Sequence, residues 1–345
     1  MRRKRLPSRV LAGCLALAAS GPAARVQACA GCRNPSMPVA RLDAAELRPG
    51  QVRAAALLSG TYLDTLHQAG CADVADCDEV PAQPLYLHHQ KVYPAELRAV
   101  AEVGLTRSLG VELQLPFRLV STTIAYSTTD GQPYTPLDPD VHHRNETLSG
   151  ISDPWLLGRW SAKLGDFLLV LRAGVSIPLG HTEPNPFVLG DMGIRHEHIQ
   201  FGTGTWDPVG GFQLARGLGA VQLAAYAQAQ ASLYQNSYGF RAPARFFGGL
   251  QAATLLFAKL TGGIGADVLF EGAERWDGVV QQDGNLGRTE ILAALSLLRL
   301  FGDTAVGVNA RFPLWRHIVT GDDPQGSLSS PLMLSLIVSR TFGGP

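Results

Sequence analysis

Charge is scarce in this sequence. Asp, Glu, Lys and Arg make up 17% of its 345 residues, against about 25% in ordinary soluble domains. Its 29 acidic and 29 basic side chains cancel, so the basic footprint that binds nucleic acid is missing and no nucleic-acid partner is expected. Long apolar runs are missing as well. Past the N-terminus no stretch approaches the about 20 apolar residues of a membrane-spanning helix. Nucleotide and catalytic signatures are absent too. "FGTGTWDP" holds Gly202 and Gly204 without a strand–GxGxxG–helix context, and the spacing of Ser and His assembles no nucleophile and base. The chain is not expected to be an enzyme, and no catalytic residue is assigned.

What the chain does have is glycine, 38 residues of it, and long unbroken alternation. In "VELQLPFRL", Val111, Leu113, Leu115, Phe117 and Leu119 point one way, and Glu112, Gln114, Pro116 and Arg118 the other. A period of two is the mark of a β-strand. "VQLAAYAQAQASLY" (221–234), "ELRAVAEVGLT" (96–106) and "VGVNARFPLW" (306–315) read the same way. Each is long enough for the about 9–11 residues with which a tilted strand crosses a bilayer.

Connections then sort by length. Tight turns fall around Ser108–Leu109, Leu164–Gly165, Leu218–Gly219, Lys259–Leu260 and Phe301–Gly302, and longer polar loops at 66–93, 125–152, 179–207, 235–241, 272–286 and 317–329. Short and long connections take turns along the whole chain, as a transmembrane barrel with short periplasmic turns and long outer loops requires. The expected fold is all-β: an antiparallel up-and-down transmembrane β-barrel of about twelve strands.

The polar faces give the candidate lumen. Glu96, Arg98, Glu102, Glu112, Arg118, Arg172, Asp267 and Arg311 sit opposite apolar faces on the expected strands. In a protein core each ion would cost several kcal/mol unless paired; inside a barrel they can face water and one another. The apolar side therefore faces outer-membrane lipid. Trp155, Trp160, Trp276 and Trp315 fall near strand ends, where aromatic girdles sit.

"LGVELQLPFRL", "GISDPWLLGRWSAKL", "LVLRAGVSIPLG", "QFGTGTWDPVGG" and "VNARFPLW" follow one another in order. In that order they resemble the outer-membrane barrels of the MetA-pathway of phenol degradation family, usually labelled transporters. The resemblance spans roughly residues 90 to 342, with Ser152-Asp153-Pro154 where that family carries GDP or GDV. It implies a transport barrel and brings no catalytic residue with it.

Export is legible at the N-terminus. "MRRKRLPSR" is a basic region, "VLAGCLALAA" a short apolar one, and "VQA" places cleavage after Ala28. Residues 1–28 are thus read as a signal peptide, 29–50 as a periplasmic segment and 51–345 as the barrel, located in the bacterial outer membrane. A plug domain of the energy-coupled transporters does not fit in the roughly twenty residues before the first strand. The expected function is porin-like: a small solute diffuses through a polar lumen without energy coupling. Its identity and the oligomeric state stay open.

Four cysteines follow the cleavage site. Cys29 and Cys32 form a CxxC, and Cys71 and Cys77 share the first long loop. In an oxidising compartment both pairs are read as disulfides. The histidines stand out more. All nine, His67, His88, His89, His142, His143, His181, His196, His198 and His317, fall in expected outer loops or at their edges. His196-Glu197-His198, and Asp138, Asp140 and His142, have the two-residue spacing that lets side chains share one metal. No cofactor is expected by default. The alternative function is a barrel whose outer loops bind Zn or Cu through His196, His198 and His181.

Overall fold

The structure is a computed structural model describing residues 46–73, 75, 82–137, 144–257, 259–281, 284–320 and 330–343. Its strands are β1 (Val52–Thr61), β2 (Leu63–Ala69), β3 (Tyr86–Gly104), β4 (Leu109–Thr128), β5 (Glu146–Ile151), β6 (Trp155–Leu164), β7 (Phe167–Ser176) and β8 (Asp207–Leu218). They continue as β9 (Val221–Gln230), β10 (Phe240–Arg241), β11 (Arg245–Phe257) and β12 (Leu260–Glu271). The last are β13 (Arg275–Trp276), β14 (Arg288–Phe301), β15 (Thr304–Ile318) and β16 (Met333–Phe342). One short helix, α1 (Pro186–Asp191), lies between β7 and β8.

Twelve of these form a closed antiparallel wall in the order β1, β3, β4, β6, β7, β8, β9, β11, β12, β14, β15, β16, with β16 paired back to β1. Each wall strand pairs with the next along the chain, so the barrel is up-and-down and leaves no open edge for the bilayer to desolvate. Short turns of two to four residues close one end. Gly165, Gly219 and Gly302 take positive φ there (62, 60 and 60°), as does Lys259 (65°), a backbone that glycine adopts without steric cost.

Alternation along β4 is unbroken from Leu109 to Val120. Val111, Leu113, Leu115, Phe117 and Leu119 are exposed, and Glu112, Gln114, Pro116 and Arg118 are buried. Exposed apolar side chains recur around the wall, at Leu97, Phe212, Leu250, Ile264 and Leu336 among others. The outside of the barrel is therefore apolar and the inside polar, the reverse of a soluble protein.

Three sequence expectations are corrected. The spans 66–93 and 125–152 are not simply loops: β2 and β3 pair as far as Ala69 and Tyr86, and β3 and β4 as far as Tyr86 and Thr128. Outward side chains there, His89 and Lys91 among them, are no longer apolar, while the ladder continues by backbone hydrogen bonding. β2 and β5 extend the wall on β3 and β4 beyond breaks at Tyr62, between β1 and β2, and at Ser152-Asp153-Pro154, between β5 and β6. Proline removes a ladder donor at the second break. Finally, Trp155 and Trp276 do not sit in an outer girdle; they are 7% and 1% exposed. Trp155 has inward parity, and Trp276 belongs to a loop folded over the barrel. Trp160 and Trp315 do face outward.

The signal peptide, Cys29, Cys32, Cys77, Asp138, Asp140, His142 and His143 lie outside the described residues. Cys71 follows β2, and its backbone pairs in parallel with Pro84, Cys71 N donating to the Gln83 carbonyl at 3.0 Å.

Candidate functional site

All eight residues expected to line the interior point inward. Glu102 and Glu112 are fully buried, and Arg98, Arg118, Asp267, Arg311 and Glu96 nearly so; the Arg172 side chain is 13% exposed. A hydrogen-bonded string joins five side chains across three strands. Arg172 Nε donates to Glu112 Oε2 at 3.0 Å, and Gln114 Nε2 to Glu112 Oε1 at 2.6 Å. Arg98 Nη1 donates to Gln114 Oε1 at 2.9 Å, and Arg98 Nε to Glu96 Oε1 at 2.8 Å. Every member is satisfied by its neighbour, which offsets the desolvation of the ions.

On the opposite wall Tyr226 Oη donates to Asp267 Oδ1 at 2.6 Å, and Arg311 Nε to Asp267 Oδ2 at 2.7 Å. Nearer the long loops, Arg245 meets Glu271 at 3.2 Å and Arg316 Nε donates to Glu290 at 2.6 Å. Sequence reasoning named Asp267 and Arg311 here and passed over Arg245, Glu271, Glu290, Arg53 and Arg159. The same parity count would have found them, because they alternate with exposed apolar neighbours.

Two cavities lie along this interior. The outer one, about 100 Å³, is bounded by Glu96, Arg98, Arg118, Arg245, Trp155 and Phe247 among others. An inner one of about 50 Å³ is bounded by Glu112, Gln114, Arg172, Gln213 and Tyr226. Arg98 and Gln228 border both, so the two are stacked and share a waist. Arginines lie on rings around the outer cavity: Arg98 Cζ is 4.5 Å from the Trp155 ring centre, Arg118 Cζ 5.7 Å from Phe201 and Arg311 Cζ 5.0 Å from Phe247.

Phe201 belongs to no wall strand. The long connection from β7 to β8 turns into the barrel, where Ile199 and Phe201 pack on Leu63, Val92 and Val120. Asp153, buried in the break before Pro154, holds this segment. Its Oδ1 accepts from Gly180 N at 2.8 Å, and its Oδ2 from Thr203 N at 2.7 Å and Thr203 Oγ1 at 2.9 Å. Arg118 Nη1 donates to the Gln200 carbonyl at 2.9 Å. The two limbs of the loop meet at glycines: a Cβ on Gly180 would lie 2.6 Å from Gly202 Cα, and one on Gly202 2.4 Å from the Gly180 carbonyl. No sequence signal marks this insertion, since a polar loop reads alike whether it turns inward or outward.

Above it, three loops form a cap. Phe240 and Trp276 stack at 4.8 Å between β10 and β13, and Phe187 of α1 packs edge-on against Trp276 at 6.3 Å and His198 at 5.3 Å. Trp276 Nε1 donates to Glu274 at 3.3 Å. Burial pushes the Glu274 carboxyl up to about 7. His196 and His198 are brought together with Nε2 to Nε2 at 3.1 Å, and His196 Nδ1 donates to the Ile194 carbonyl at 2.7 Å. That fixes His196 Nε2 as the acceptor. Burial, with Arg144 nearby, pulls its pKa below the usual imidazole value.

His181 is not part of this pair. Its side chain is exposed and meets Glu183 at 2.8 Å, while Glu197 is taken by Arg144. Among the described residues no group of three His, Cys, Asp or Glu is placed to hold a metal.

No protein-family model matches the chain, and no curated protein does, so the likeness to the MetA-pathway family rests on motif order alone. Solved structures do match. An outer membrane channel from Pseudomonas putida F1 superposes with a TM-score of 0.57 at 13% identity, covering 88% of this chain and 100% of that one. A Pseudomonas aeruginosa FadL homologue gives 0.42 at 8% identity over 84% and 90% of the two chains. The first likeness establishes the shared barrel fold.

Proposed function

We propose that the protein is an outer-membrane channel through which a small solute diffuses without energy coupling. The observation that carries this reading is the pair of stacked cavities, walled by inward charge, inside a closed barrel whose other face is apolar. The shared fold with a solved outer membrane channel supports it. Export by a signal peptide cleaved after Ala28, and a Cys71–Cys77 disulfide stapling the first outer loop, belong to the same reading, as does membership among transport barrels of the MetA-pathway type. An enzyme is disfavoured, because the buried carboxylates of the wall are each engaged by an arginine, and Asp153 by backbone N–H groups and a hydroxyl. Reconstitution into planar bilayers in potassium chloride tests the proposal. Stepwise conductance is expected, and a folded barrel that leaves the bilayer insulating would remove it.

A second reading has one observation in its favour. Two nitrogens on one tetrahedral Zn at about 2.05 Å sit about 3.3 Å apart, close to the 3.1 Å between His196 and His198. The cap would then hold Zn or Cu on two imidazoles and solvent. Titration calorimetry at pH 7.5 and 5.5 tests it: stoichiometric uptake that weakens at acid pH and disappears in His196→Ala/His198→Ala is the expected result, and uptake equal in both proteins would discard it.

A further inference from the structure

We propose that the solute recognised by the two stacked cavities is a small neutral polyol. The inference rests on the channel reading above and names what that channel selects.

The charges along the path are already taken. Arg98 is held by Glu96 at 2.8 Å and by Gln114 at 2.9 Å, Arg172 by Glu112 at 3.0 Å and Arg245 by Glu271 at 3.2 Å. Arg118 donates to the Gln200 carbonyl, and Asp153 accepts from Gly180 and Thr203. An ion entering either cavity would shed water and meet countercharges committed to other partners.

The neutral groups are not taken. Ser152 and Ser176 border the outer cavity, and Gln213 borders the inner one. Ser152 Oγ, Ser176 Oγ and Gln213 Oε1 find no hydrogen-bond partner among the described residues. Their residues are nonetheless 8%, 0% and 4% exposed. A buried hydroxyl or amide left unpaired is costly, so these atoms mark where a passing molecule can supply the missing bond. A hydrocarbon would leave all of them unpaired. A hydroxyl both donates and accepts, so it serves a serine Oγ and either end of a glutamine amide.

Size and position agree with this chemistry. The inner cavity is about 50 Å³, room for about four waters at about 10–15 Å³ each. It admits a narrow chain of hydroxymethyl groups and not a ring lying flat. The waist between the cavities is bordered by Arg98 and by the neutral amide of Gln228. A solute with several hydroxyls therefore meets unpaired neutral groups in both chambers as it advances.

Stopped-flow swelling of proteoliposomes tests this with glycerol and alanine, which share one heavy-atom count but differ in being hydroxylated or zwitterionic. Rates are taken above those of protein-free vesicles, and potassium chloride conductance is measured in planar bilayers. Glycerol should enter faster than alanine by about twofold to tenfold, the scale of a hydrogen bond. Gln213→Met and Ser176→Ala should each reduce that preference, and together erase it, while potassium chloride conductance and thermal stability stay at the wild-type level. Folding of each variant is checked by heat-modifiable gel migration. A fall in thermal stability would assign the side chain to the wall and overturn the inference. A barrel that conducts potassium chloride but admits glycerol and alanine equally, or keeps the preference in the double variant, overturns it and leaves the channel standing. One that passes neither the solutes nor the salt removes the channel reading and the inference together.

Discussion

Glu102 and Glu112 stand opposite each other in register across β3 and β4, both fully buried. Like charges so placed repel. Each is held instead by arginines from other strands: Glu102 by Arg159 at 3.1 Å and Arg53 at 3.8 Å, and Glu112 by Arg172 at 3.0 Å. Adjacent strands alone would not tolerate this pair. The strands flanking the pair bring the neutralising charges to either side of it, Arg53 from β1, directly opposite Glu102 in the ladder, and Arg159 from β6.

Removing Glu102 should therefore cost more than its own charge. Glu102→Gln leaves Arg53 and Arg159 buried beside each other, and breaking such a pair costs about 3–5 kcal/mol. A fall in thermal unfolding temperature is expected. Where the double variant Glu102→Gln/Glu112→Gln folds, its reversal potential should shift towards anions; an unchanged value would place these residues off the conducting path.

Face assignment is tested on neighbouring residues. Leu115 is exposed and Gln114 buried. Leu115→Arg should impair insertion, because arginine at mid-bilayer on the outer face costs about 2–4 kcal/mol. Gln114→Ala should insert normally and alter conductance. Identical behaviour of the two in liposome insertion assays would reverse the assignment.

Asp153 should act as the anchor of the inserted loop. Asp153→Ala removes the acceptor for Gly180 N, Thr203 N and Thr203 Oγ1, and Gly202→Ala forces the two limbs apart. Both variants should show faster proteolysis within 180–205 and larger single-channel conductance. Conductance that stays at the wild-type level while the loop is cut would show that the segment does not obstruct the path.

The cap should be tightest at mildly acidic pH, below the folded value of Glu274. Glu274, raised to about 7, contributes stability present below its unfolded pKa and lost as pH rises through the folded value. His196 is depressed, so its contribution is present above the usual imidazole pKa and lost as pH falls through the folded one. Proteolysis of the cap should accelerate on both sides. Glu274→Gln should abolish the alkaline arm alone, and survival of that arm would assign it to another group.

Loop sorting makes a further topological claim. Single cysteines placed at Asp277 or Leu179 should label from outside intact cells, and those at Asp166 or Asp303 should not. Equal labelling would contradict the orientation.

Strand parity, the even count and the sorting of loops were all legible in the sequence by itself, and with them the inward set from Glu96 to Arg311. A β-strand writes its two environments at alternate positions, and a barrel in lipid has only two, so local pattern suffices. Tertiary structure alone decided the partners of those charges. Glu112 finds Arg172 60 residues away, and Asp267 finds Arg311 at a separation of 44, because strand stagger around a closed wall sets which inward levels meet. It alone turned the 199–205 segment inward onto Asp153 and raised Trp276 into a cap. Those choices depend on burial and hydrogen bonds between distant segments, and a polar loop carries no periodicity from which to read them.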